Sequence, residues 1–252
     1  MTDDTELIKK RLTELARRSY NSGIYTFSDF LSLSEQSALQ EIRSDISFVK
    51  YTLFGGVGGA ERVMVRFGEE GELGYELPFP IVTAKVHPVS EKFAEQLTHR
   101  DYLGAILNLG IERSVVGDIV IRGCDAFVFI KDSISEYFIK ELTRVRHTDV
   151  KVTLIDGVPE GELYKTESKR IQLSSERLDA TVAKVFNLSR EDAQRLFLKR
   201  LVFASGKEIS SCSYTPKPDE IISVRGHGRF IYRGFESNTK RGRLNVRVDV
   251  YV

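Results

Sequence analysis

The chain has 252 residues, 41% of them hydrophobic and 15 of them Phe, enough apolar material for two or three small domains or one large one. No run approaches the roughly 18 apolar residues that a membrane span needs, and the acidic opening Met1-Thr-Asp-Asp-Thr-Glu lacks the apolar stretch of a signal peptide. Its two cysteines, Cys124 and Cys212, suit a reducing cytoplasm and exclude a disulfide framework or a cysteine-rich zinc site.

In chain order, helical spacing predicts helices over 5–19, with Leu7, Ile8, Leu12 and Leu15 on one stripe, and over 34–44, after a cap region at Ser32 and Ser34. Strands are expected at 49–54 and 62–67, separated by the glycine-rich run Gly55-Gly56-Val57-Gly58-Gly59. Residues 69–72 read as a polar turn, and Pro78 and Pro80 mark a boundary. The next block reads as strand 81–87, helix 100–109, strands 118–122 and 126–130 around Gly123, helix 133–145 and strand 150–155. That order is the split βαβ, or ferredoxin-like, arrangement of an antiparallel sheet backed by two helices. Residues 157–169 are polar and turn-rich and read as a linker.

The net charge of +1 hides an asymmetry. Residues 174–252 hold 15 Lys+Arg against 9 Asp+Glu, a net of +6, while residues 1–173 hold 22 against 27, a net of −5. A basic module on an acidic body is a footprint of polyanion binding, and chance clustering on solvated faces is the alternative. A helix over about 176–186 would bury Leu178, Val182, Val185 and Phe186 and leave Arg177, Thr181 and Lys184 off that stripe. A second helix opens at Ser189, a good N-cap with Asp192 at the third helical position. It buries Ala193, Leu196 and Phe197 and sets Arg195 with Lys199, and Arg190 with Gln194, on the solvent side. Such rigidly mounted cations suit RNA phosphates, with glutamine and serine reaching sugar hydroxyls. The same pattern also fits two ordinary solvated helix faces. The tail alternates strictly, Leu244, Val246, Val248, Val250 and Val252 against Asn245, Arg247, Asp249 and Tyr251, and the turn 237–242 pairs it with a strand near 229–234.

Arg177-Leu178-Asp179, then Ser189-Arg190-Glu191-Asp192-Ala193-Gln194-Arg195-Leu196, then Val202 to Lys207 with its Ser205-Gly206 turn, then Pro218 to Arg225, resemble the small RNA-binding domain named for ribosomal small-subunit protein S-four. With Leu97 to Gly110, Gly228-Arg229-Phe230 and Thr239 to Arg243 added, nearly the whole chain resembles the bacterial YlmH family. The resemblance implies a cytoplasmic, ribosome-associated, non-catalytic RNA-binding protein. Its relatives are linked to the large ribosomal subunit, to translation rescue and, by gene neighbourhood, to cell division. It implies an RNA surface of Arg177, Asp179, Ser189, Arg190, Gln194, Arg195, Lys199 and Lys207, with Asp179 expected to orient Arg177 or cap a helix. Lys184 and Arg200 join that surface, and charge alone adds Arg225, Arg229, Lys240, Arg241 and Arg243.

Other signals are weaker. The Gly55–Gly59 loop lacks the Gly-Lys-Ser/Thr of a phosphate loop and reads as a flexible hairpin loop. Phe127 and Phe129 share a strand face and are either base-stacking platforms or, the better reading, packing under the helices. His87, His99, His147 and His227 have no metal-ligand spacing, and His99 near Asp101 reads as a local cap rather than an acid/base pair. The expectation is an α+β protein with a mixed α/β region over 1–76. A ferredoxin-like, RNA-recognition-like domain follows over 77–160, then an S-four-type domain over 170–252. It binds structured RNA (rRNA, tRNA) on the ribosome, with no cofactor, metal, membrane or small-molecule substrate. An RNA-modifying enzyme, such as a methyltransferase or pseudouridine synthase, and a cell-division adaptor remain the alternatives.

Overall fold

A computed structural model describes residues 2–157, 164, 166–239 and 242–251. The chain is α+β and divides into two compact units, 1–163 and 164–252. In the first unit, α1 (Thr2–Ser22), β1 (Thr26–Phe27), α2 (Leu33–Glu41), β2 (Tyr51–Phe54) and β3 (Met64–Phe67) come first, followed by the single turn of α3 (Glu70–Leu73) where a polar turn was expected. The strands form a three-stranded sheet in the order β1-β3-β2. Leu12 and Ala16 of α1 and Leu39 of α2 pack on Val65 and Phe67 of β3.

The unit continues with β4 (Ile81–Pro88), α4 (His99–Asn108), β5 (Val116–Arg122), β6 (Asp125–Lys131), α5 (Ser135–Glu141), β7 (Arg144–Val145) and β8 (Thr148–Ile155). They build an antiparallel sheet in the order β5-β6-β4-β8-β7. Tyr102 and Ile106 of α4 and Phe138 of α5 bury one of its faces, made of Ala84, Val86, Ala126, Val128, Ile130, Val150 and Val152. Thr98 opens α4, its backbone N–H donating to Asp101 Oδ2 at 2.8 Å, so Asp101 is a helix cap.

The helix expected over 133–145 is shorter. Backbone at Leu142 leaves the helical region at φ −81°, ψ 79°, and β-branched Val145 is buried in a two-residue hairpin with Thr148. Phe127 and Phe129 are both buried, but not under the helices, because the residues alternating with them carry that contact. Their face is closed from the N-terminal side. A Cβ on Gly56 would lie 2.3 Å from the Phe129 ring, and one on Gly117 would lie 2.7 Å from Phe30. The start of the glycine run, Gly55 and Gly56, is therefore close-packed while Gly58 faces open space, and Phe129 is no stacking platform.

The second unit holds β9 (Thr166–Leu173), α6 (Leu178–Val185), α7 (Arg190–Leu198), β10 (Val202–Ala204), β11 (Lys207–Glu208), β12 (Glu220–Val224), β13 (Gly228–Asn238) and β14 (Leu244–Tyr251). They form one antiparallel sheet in the order β11-β10-β12-β13-β14-β9. Residues 166–169, expected as linker, pair with β14 as part of β9, whose eight residues match β14 from Thr166↔Tyr251 to Leu173↔Leu244. Leu178, Val182, Ala193, Leu196 and Phe197 of the two helices pack on Val202, Ile222, Val224, Phe230, Val246 and Val248. The strict alternation of the tail thus puts Val246, Val248 and Val250 on the helix side and Asn245, Arg247, Asp249 and Tyr251 on the other. Thr181, expected off the core stripe, is fully buried, its hydroxyl donating to the Arg177 carbonyl at 3.2 Å.

Candidate nucleic-acid interface

The two helices of the second unit meet at one carboxylate. Asp179, in the first turn of α6, has no exposed surface. Arg177 donates to it through Nε and Nη2 at 3.1 Å each, Arg190 at the start of α7 donates through Nε and Nη2 at 3.3 Å, and Gln194 one turn later donates at 3.0 Å. The Ala180 backbone N–H adds a contact at 2.9 Å. A buried carboxylate loses several kcal/mol of hydration, and only close charge-assisted hydrogen bonds offset that loss. Burial alone would raise the Asp179 carboxyl, but hydrogen bonds from Arg177 and Gln194 and the charges of Arg190 and Arg177 overcome it and hold the group below the usual carboxylate range. The same bond raises the Arg177 guanidinium.

The geometry follows from short-range sequence. Arg177 is the N-cap residue of α6 and Asp179 follows two places on. The Ser189 hydroxyl accepts from the Asp192 backbone N–H at 3.0 Å and donates to the Asp192 carboxylate at 2.6 Å, starting α7 so that Arg190 and Gln194 face back toward α6. Ser189 is thus engaged in capping. Side chains of Arg177 and Arg190 remain 40% and 46% exposed, so each guanidinium has one edge on Asp179 and another in solvent. Immobile cations with exposed edges lose little rotamer freedom on meeting a phosphate.

The other expected site residues are more dispersed. Arg195 pairs along α7 with Glu191 at 2.6 Å and Asp192 at 3.5 Å, which dilutes its field. Lys184 is exposed on α6, and Lys199 caps the C-terminus of α7. Arg200 follows in the left-handed region, at φ 57°, and pairs with Glu208 at 2.7 Å. Lys207 is exposed beyond the Ser205-Gly206 turn, whose positive φ values of 45° and 80° close the β10–β11 hairpin.

Arg225 and Arg229 belong to the opposite face of the sheet. Arg225 lies over Phe203, 5.1 Å from the ring centre, and Phe203 alternates with the core residues Val202 and Ala204. Arg229 is held between Tyr164 and Tyr251 at 4.3 and 4.2 Å. Lys240 and Arg241 lie outside the described residues. Arg170, Arg233 and Arg247, none of them an expected site residue, lie on that same face. The alternation of 244–252, which sets Arg247 and Asp249 beside each other on one side, carried the signal.

Among the described residues no group of three or more His, Cys, Asp or Glu could hold a metal ion, and no helix is long and apolar enough to cross a membrane. Residues 78–157 match the family model described as "Putative RNA-binding domain in YlmH". The chain is 27% identical over 223 residues, 87% of its length and 84% of the relative's, to "Ribosome-associated protein quality control protein P2" of Bacillus subtilis (strain 168). A solved structure, "Cell division protein ylmH from Streptococcus pneumoniae", covers 61% of the chain with 92% of its own, at 21% identity and a TM-score of 0.49. The chain is thus similar to the YlmH proteins in its middle domain and to a ribosome-associated quality control protein over most of its length.

Proposed function

We propose that the protein binds structured RNA, rRNA or tRNA or both, on the large ribosomal subunit, in quality control or rescue of translation and without catalysing a reaction. The Bacillus relative is named for ribosome-associated quality control, and the matched family model describes an RNA-binding domain. In this reading the middle block, 77–160, is a ferredoxin-like domain, the region 1–76 closes one face of its sheet, and 170–252 is an S-four-type module. Work on the ribosome puts the protein in the cytoplasm.

The observation that carries the proposal is the Asp179 cluster, which fixes Arg177, Arg190 and Gln194 as one surface with guanidinium edges in solvent. Arg195 and Lys199, farther along α7, add positive charge. The test is the triple variant R190Q/R195Q/K199Q. Arg177 and Gln194 still hold Asp179, so the fold persists. RNA affinity is expected to fall at least tenfold regardless of sequence, and the slope of log K against log salt to flatten by about 2. The slope change is less than three full contacts because Arg195 is already paired with acids. Wild-type affinity and slope in this variant would sink the reading.

A further inference from the structure

Two charged side chains are buried among the described residues, Asp179 at 0% exposure and Asp249 at 6%, and both belong to the second unit. Each grips arginines. Asp249 accepts from Arg233 Nε at 2.6 Å and has Arg247 Nε at 3.8 Å. It sits on the sheet face turned away from the helices, so the unit repeats on its far side the device that carries the helical surface. Arg247 donates to Ser168 at 3.0 Å, and Arg170 on β9 donates to Glu236 at 2.7 Å. These arginines stay accessible, with Arg170, Arg247 and Arg233 exposed by 68%, 52% and 35%.

The register sets arginines side by side, with Glu236, Asp249 and Asp219 as their acid partners. Arg170 and Arg247 are direct cross-strand partners, and like charges directly opposite destabilise a sheet. Arg233 adjoins Gly234, the partner of Arg247 on the next strand. Three guanidiniums therefore cross three adjacent strands, which lie about 4.8 Å apart. Protecting a sheet edge against aggregation would explain cations on β9, the outermost strand, but not on β14 and β13, which are interior. A depression of about 280 Å³ opens beside the row, lined by Ser168, Lys169, Arg170, Glu236 and Arg247. Farther along the same face, the two tyrosine rings fix Arg229.

We infer that this face is a second phosphate-backbone contact, so that the C-terminal unit holds one RNA segment on its helices and another on the back of its sheet. The inference rests on the RNA-binding reading of that unit and extends it to a surface the helices do not reach. A row of arginines with fixed planes suits successive phosphates of one strand, where bidentate contacts fix register without reading bases.

The experiment counts short RNA hairpins bound to the full chain by native mass spectrometry at low ionic strength. Three proteins are compared: wild type, the sheet variant R170Q/R247Q, and the helix variant R190Q/R195Q/K199Q. Arg233 is left in place because it satisfies buried Asp249, and thermal melting confirms that each variant is folded. The sheet variant is expected to bind one hairpin fewer than wild type, with that binding event weakened at least tenfold. Equal counts and affinities in wild type and the sheet variant would overturn the inference and leave the helical reading intact. Loss in the sheet variant with full binding by the helix variant would sustain the sheet face and remove the helical one.

Discussion

Replacing Asp179 by Ala is expected to destabilise the C-terminal unit by about 3 kcal/mol, the lower end of what loss of one partner of a buried ion pair costs. The lower end applies because Arg177 and Arg190, being 40% and 46% exposed, can rehydrate when the carboxylate goes. For a unit of this size that is a fall of about 12–24 °C in its unfolding midpoint. Asp179→Asn keeps the shape and one acceptor and should lose about half as much. The pH dependence has a definite sign. The folded carboxyl is held below its ordinary range, so its contribution is complete above the unfolded value near 3.9 and disappears as pH falls through the lower folded value. The gap between wild type and Asp179→Asn should therefore be constant at neutral pH and close on the acid side of about pH 4.

The same variants separate orientation from charge. Removing Asp179 makes the surface one unit more positive, so a charge-only interface would bind RNA more tightly. If the carboxylate acts by fixing two guanidiniums, affinity falls instead, at a temperature where the variant is still folded. Filter binding at several salt concentrations decides between the two outcomes.

The parts of the chain that could be read from sequence are those where local chemistry decides. Ser189 with Asp192, the stripe of Leu178, Val182, Ala193 and Leu196, and the alternation of 244–252 each report one element, and the expected elements form there. Asp179 could be assigned to an arginine, but its meeting with Arg190 and Gln194 depends on how two helices cross, which neither helix records. Strand β9 was hidden for another reason. An edge strand is held by backbone hydrogen bonds, and five of its first residues, Thr166 to Arg170, are exposed and polar. The placement of Phe127 and Phe129 failed because alternation names two faces without saying which one the helices cover. The N-terminal region that closes the second face lies more than fifty residues upstream.

That closure hangs on Arg62, whose replacement should give the largest loss in the first unit. Its Nε donates to the Val116 carbonyl at 3.0 Å, and its Nη2 donates to the Phe30 carbonyl at 2.8 Å and the Arg113 carbonyl at 3.1 Å. Asp118 accepts from the Arg62 and Glu61 backbone N–H groups at 3.0 and 2.7 Å, fixing the chain from which the guanidinium departs. One side chain thus ties the segment before α2 to β5 and to the turn leading into it. The neighbouring Arg113 is lowered to about 10, by burial first and by the Arg62 charge second. Hydrogen bonds from a charged donor contribute about 1.5–3 kcal/mol each. Because the three share one group and some carbonyls can rehydrate, Arg62→Ala should cost about 3 kcal/mol in total. In a unit of this length that is about 6–12 °C. Arg62→Lys, a point donor in place of a planar fork, can reach one carbonyl and should recover less than half. Hydrogen exchange locates the effect: protection should fall along 28–31 and 116–120 while β12 to β14 keep theirs. A midpoint within about 2 °C of wild type, or exchange rising equally in both units, would mean that the Gly56–Phe129 packing holds this seam without the arginine.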